Sequence, residues 1–169
     1  MRRRLLPLWL VGLLASALAL GGCATTRPYR EPHPENLTFS SPGLAGSILG
    51  SPRIYLHFYY ADRGADEKGC ELDYRGTVSL SPGDGSQRVG LSTEREVYTR
   101  IFVRQSDWLR NSTKTRKDEF RLRARRGHSY DLEYVHKKKF YGRRITDTDA
   151  RGRTREIQPA DWGSCRIPA

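Results

Sequence analysis

From Arg53 onward, apolar and polar positions alternate with a period of two. Ile54, Leu56, Phe58 and Tyr60 fall on one side of the first run, and Tyr55, His57 and Tyr59 on the other. The clearest run is Cys70 to Leu80. It sets Cys70, Leu72, Tyr74, Gly76, Val78 and Leu80 on one face, against Glu71, Asp73, Arg75, Thr77 and Ser79. That is the pattern of a half-buried strand. Ser81-Pro82-Gly83-Asp84-Gly85 supplies a turn. Further apolar faces follow at Val97, Thr99, Ile101 and Val103, at Phe120, Leu122 and Ala124, and at Tyr130, Leu132 and Tyr134. Phe140 to Thr146 and Thr154 to Ile157 form a last pair around Asp149-Ala150-Arg151-Gly152. No window keeps helical periodicity over three turns. Six to eight strands with turns between them predict an all-β domain over residues 53–169. The expected form is an antiparallel β-sandwich of immunoglobulin- or transthyretin-like outline, with a small β-barrel as the alternative.

Ahead of Arg53 the alternation is absent. Residues 23–52 hold Pro28, Pro32, Pro34, Pro42 and Pro52 with Gly43, Gly46 and Gly50. This composition predicts an extended or flexible tether with a coil-like span of roughly 30 Å. Leu37, Phe39, Leu44 and Ile48 are the positions that would let part of it lie on the domain. Residues 1–22 differ again. Arg2, Arg3 and Arg4 precede an uncharged, mostly apolar stretch from Leu5 to Leu20. The stretch is shorter than the ~20 residues a membrane-spanning helix needs. A basic start, a short apolar core and small residues after it read as an export signal.

The stretch ends in Leu20-Gly21-Gly22-Cys23. This resembles the lipobox of bacterial lipoprotein precursors: an aliphatic residue, two small residues and the acceptor cysteine. The resemblance implies cleavage before Cys23 and acylation of its sulfur and its new amine. Several acyl chains give stable anchoring where one does not. The residue after Cys23 is Ala24 rather than aspartate. By the same resemblance, the outer membrane is favoured over the periplasmic face of the inner one. As a whole the chain resembles small proteobacterial lipoproteins with a single β-rich domain, a class tied to no one activity. With Cys23 committed to lipid, Cys70 and Cys165 are an even pair in an oxidising compartment, which predicts a disulfide. Two unpaired buried thiols are the alternative.

Charge adds a surface feature. The precursor carries +11, and three arginines leave with the signal. From Arg110 to Arg155 there are sixteen Lys and Arg against six Asp and Glu. Within this stretch Arg121, Arg123 and Arg125 alternate with Phe120, Leu122 and Ala124, so a strand there would project three guanidinium groups from one face. Lys137, Lys138, Lys139, Arg143 and Arg144 would extend the stripe as an anion-binding surface. Expected partners are anionic lipid, lipopolysaccharide phosphates or an acidic envelope protein. Nucleic acid is excluded by compartment and by the lack of a binding motif.

No catalytic set or cofactor motif emerges. His33, His57, His128 and His136 lack metal-ligand spacing. His128, Ser129 and Asp131 lie close in sequence, without the strained turn and oxyanion site a hydrolase needs. Tyr55, His57 and Tyr59 are read as a face covered by neighbouring chain, with sugar stacking as the alternative. The functional expectation is a membrane-anchored, non-catalytic binding or envelope-structural module. A lipoprotein subunit of a secretion or transport complex is the second reading, and a periplasmic hydrolase the third.

Overall fold

A computed structural model describes residues 26–44, 52–61, 70–107, 112–137 and 140–167. The proposed leader, Cys23, Ile48, Lys138 and Lys139 lie outside these described residues. Among the described residues, nine strands run β1 (Leu37–Ser40), β2 (Arg53–Ala61), β3 (Leu72–Leu80), β4 (Ser86–Val89), β5 (Val97–Asp107), β6 (Ser112–Leu122), β7 (Ser129–Lys137), β8 (Phe140–Thr148) and β9 (Thr154–Ile157). They form a five-stranded sheet of order β4-β1-β7-β8-β9 and a four-stranded sheet of order β3-β2-β5-β6. Neither sheet closes on itself, so the fold is a sandwich and not a barrel. Among the described residues, the pairings between these strands are antiparallel except that of β1 with β7, which is parallel.

The core lies between the sheets, where the alternation places it. Ile54, Leu56 and Phe58 of β2, Val97 and Ile101 of β5 and Phe120 of β6 meet Phe39, Leu132 and Ile145 from the other sheet. All of these are at most 2% exposed. Each such side chain contributes roughly 1.5–3 kcal/mol through burial.

β3 departs from the single face read in sequence. Phe58 pairs with Gly76, but Tyr59 pairs with Tyr74, so Arg75 is the extra residue of a β-bulge. With a side-chain period of two, one extra residue moves everything beyond it to the opposite face. Leu80 and Val78 join the main core, whereas Leu72 and Tyr74 belong to a second cluster on the outer surface of the sheet. Gly76 sits at φ +144°, and a Cβ on it would lie 2.5 Å from the Tyr29 Cα. The glycine therefore opens room for another piece of chain. Thr77 bonds Arg27 and Tyr29 through its backbone N–H and C=O. The Tyr29 ring then enters the core 4.2 Å from the Phe58 ring. Its hydroxyl is hydrogen-bonded with that of Tyr60 and donates to the Gly90 carbonyl.

The tether expectation for residues 23–52 is corrected in the same region. Residues 26–44 belong to the sandwich. β1 lies between β4 and β7, with Leu37 and Phe39 buried. The Asn36 amide fastens its start, giving one hydrogen bond to Leu91 and receiving another. Pro28, Pro32, Pro34 and Pro42 flank this strand and do not interrupt it, so their composition misstates the segment.

The C-terminal tail crosses the outer surface of the four-stranded sheet. Ala160 bridges to Arg121 on one edge strand, and Arg166 bridges to Glu71 beside the other. Between them Trp162 is 6% exposed, its single indole N–H shared by the Thr99 and Phe120 carbonyls. Cys165 is joined to Cys70 by a disulfide. The expected pairing is therefore present, and it holds the tail across the sheet.

Candidate functional site

The basic residues expected to form one stripe are not all together: Arg121, Arg123 and Arg125 alternate with buried Phe120, Leu122 and Ala124 as expected, but Arg143 and Arg144 turn to other faces. Arg121 lies on the outer surface of β6, opposite Tyr98, and pairs with Glu96 at 3.3 Å. Its hydrogen bond with Tyr98, and then the Glu96 charge, push its pKa further up. β6 ends at Leu122, so Arg123 and Arg125 follow in irregular chain. Arg143 points between the sheets, paired with Asp118 and 5.0 Å from the centre of the Phe120 ring. Arg144, the next residue in β8, faces away and pairs with Glu133 at 3.3 Å. Lys137 ends β7.

The fold instead gathers arginines from two turns far apart in sequence. The β6–β7 connection supplies Arg123, Arg125 and Arg126, and the β8–β9 turn supplies Arg151, Arg153 and Arg155, all six exposed. Each turn is set by local chemistry. In the first, the His128 N–H reaches the Arg125 carbonyl and Gly127 takes φ +74°. In the second, Asp149 Oδ1 accepts the backbone N–H groups of Arg151 and Arg153. Those bonds, the Arg153 backbone bond first, hold the Asp149 carboxyl below its ordinary pKa. The turns are neighbours: a Cβ on Gly127 would lie 3.6 Å from that of Ala150.

Between them is an open cavity of about 440 Å³, lined by Arg125, His128, Asp147, Arg153 and Arg155 among others. Asp147 forms its floor and is 3% exposed. Its Oδ1 is 2.6 Å from His128 Nδ1, and its Oδ2 accepts from Arg155 Nη2 and Nε at 3.1 and 3.3 Å. Burial on its own raises the Asp147 pKa. The His128 and Arg155 hydrogen bonds and charges outweigh that and hold it below the usual value. His128 lies nearly parallel to the Tyr130 ring, and the Tyr130 hydroxyl accepts the Arg125 N–H at 3.0 Å. The arrangement orients cations around a concave surface, which suits anion binding. Among the described residues, no group of His, Cys, Asp and Glu is arranged to hold a metal ion.

This site was only partly visible beforehand. Arg151, Arg153 and Arg155 alternate just as Arg121, Arg123 and Arg125 do. The repeat of that spacing is the one local signal, and it does not say that the two ends meet.

The outward aromatic face divides in two. Tyr59 is buried beneath Trp162, with ring centres 5.5 Å apart. His57 remains half-buried, edge-on to Phe102 at 4.9 Å and hydrogen-bonded with Thr77. Burial, with a smaller contribution from Arg100, lowers the His57 pKa from 6.5 to about 4. The unfolded chain therefore binds this proton more readily than the folded one. His57 leaves stability intact above pH 6.5 and withdraws it as pH falls from 6.5 towards 4. Urea midpoints of His57→Phe should accordingly fall less across that window than those of the parent. Identical pH profiles would refute the assignment.

The chain matches no family model, no curated protein and no solved structure.

Proposed function

We propose that this protein is a lipoprotein held through acylated Cys23 at the periplasmic side of the outer membrane. There it acts as a non-catalytic binding module whose arginine-rich end rests on phosphate-bearing headgroups. The observation that carries this reading is that the N-terminal segment approaches the domain from its arginine-rich end. Pro28 pairs with Thr77 in parallel, so the chain before it comes from the Leu72 end of β3. Register across the sheet aligns Leu72 with Ala61, then Tyr60 with Val97 and Val97 with Leu122. Leu122 leads directly into the Arg123–Arg126 turn. Pro28 lies five positions after Cys23, a reach of at most ~18 Å. A leash that leaves towards the Leu72 end and is this short favours that end facing the bilayer.

Headgroup attraction is worth about 1 kcal/mol per basic residue close to an anionic surface. Arg123→Gln, Arg125→Gln and Arg126→Gln together should weaken binding of the exported chain carrying Cys23→Ser to anionic vesicles roughly a hundredfold. Higher salt should weaken the parent likewise. Sedimentation with vesicles measures both, and unchanged partitioning of the triple variant would count decisively against the docking. Loss of lipid labelling in the full chain on Cys23→Ser tests the anchor separately.

A further inference from the structure

We propose that the cavity between the two turns binds a phosphate group carried on a sugar- or glycerol-sized body. The proposal deepens the headgroup reading and rests on the same end of the domain.

The donors are fixed before any ligand arrives. Arg155 turns Nε and Nη2 to Asp147, and Arg153 turns Nε and Nη2 to Asp149. A guanidinium has five N–H donors in a rigid fork, so each arginine keeps three for a ligand. The carboxylates orient both forks, so part of the side-chain ordering is in place before binding. Both carboxylates are fully engaged. Asp147 Oδ1 faces His128 and Oδ2 accepts from Arg155; Asp149 Oδ1 takes two backbone N–H groups and Oδ2 takes Arg153. Arg125, whose guanidinium has no acceptor among the described residues, completes three arginines against two carboxylates at the cavity.

His128 narrows the choice of ligand. Its Nδ1 is taken by Asp147, which leaves Nε2 for a ligand. Neutral, that nitrogen accepts from a P–OH; protonated, it donates to a phosphate oxygen. Phosphate offers both. A carboxylate has fewer oxygens and less charge than three arginine forks and an imidazole can use. The volume of about 440 Å³ falls within the range of small-molecule sites and exceeds what a bare phosphate fills.

Titration of the exported chain carrying Cys23→Ser with glucose 1-phosphate, followed by NMR, tests this. The His128 ring and arginine side-chain signals should shift and saturate at millimolar ligand or below. Glucose and equal ionic strength of chloride should leave them unchanged. His128→Gln and Arg125→Gln should each weaken the binding about tenfold, with unaltered spectra elsewhere establishing that the variants fold. Absence of saturable shifts, or equal shifts with chloride, would overturn the proposal. If those shifts are absent while anionic vesicles still bind, the cavity is ruled out and the membrane docking stands. If the sugar phosphate binds while vesicles do not, the cavity stands and the docking is ruled out. Tighter binding to phosphatidic acid vesicles than to phosphatidylglycerol vesicles of equal charge assigns the phosphate to a lipid headgroup. No difference assigns it to a soluble phosphate ester.

Discussion

Replacing both Cys70 and Cys165 with serine is expected to lower the unfolding free energy by about 4 kcal/mol. The bond joins residues 95 apart, with Cα atoms 4.5 Å from each other. A loop of that size greatly restricts the unfolded chain, and the contribution grows with the logarithm of its length. The native state loses something as well, because Cys70 and Cys165 pack in the cluster beneath the tail. Urea unfolding of the double variant beside the oxidised parent measures the difference, and a loss under about 1 kcal/mol would contradict the expectation. Double replacement is the cleaner experiment, since a single one leaves a thiol free to pair with another molecule.

Trp162→Ala is expected to cost about 3–5 kcal/mol, the range for deleting a large buried aromatic. The indole sits edge-on to Tyr59 and Tyr98, with the Arg100 guanidinium 4.6 Å from its ring centre. Its removal opens a cavity on the sheet and strips the donor shared by two carbonyls. Trp162→Phe should be milder, because it keeps much of the packing and loses the N–H. The disulfide and Trp162 act on the same stretch of tail, so their effects should not add. Once the serine variant has let the tail leave the sheet, little of Trp162's packing is left to lose. Chemical denaturation of the serine variant, Trp162→Ala and the two combined tests this, and strict additivity would mean that the tail does not respond as a unit.

Much of the sandwich was legible because burial on one face writes itself into sequence as alternation. β2 from Arg53 to Phe58, β5 from Thr99 to Arg104 and β7 from Ser129 to Val135 keep that pattern. β4 is Ser-Gln-Arg-Val, too polar to announce itself, and it is a strand because β1 pairs with it. β1 was hidden by the prolines on either side. In β3 the alternation reads as a single face, since an added residue such as Arg75 leaves a strand's polar–apolar rhythm looking intact. The arginine site was the least legible. The alternation of Arg121, Arg123 and Arg125 with buried Phe120, Leu122 and Ala124 holds, although the strand itself stops at Leu122. The true companions of Arg123 and Arg125 come from residues 151–155, and that meeting is a property of topology that local spacing does not carry.

The parallel pairing of β1 with β7 bears on how the chain reaches this state. Residues near the start must find partners near residue 130; the Ser41–Tyr134 hydrogen bond alone spans 93 positions. Contacts so distant in sequence make folding slow, in the millisecond-to-second range for all-β domains. β1 lies between β4 and β7 in the sheet, so without it those two strands each present an unsatisfied edge. Such edges are templates for another copy of the chain. Four residues of β1 therefore cover two such edges at once, and a chain in which they fail to pair leaves both open to self-association.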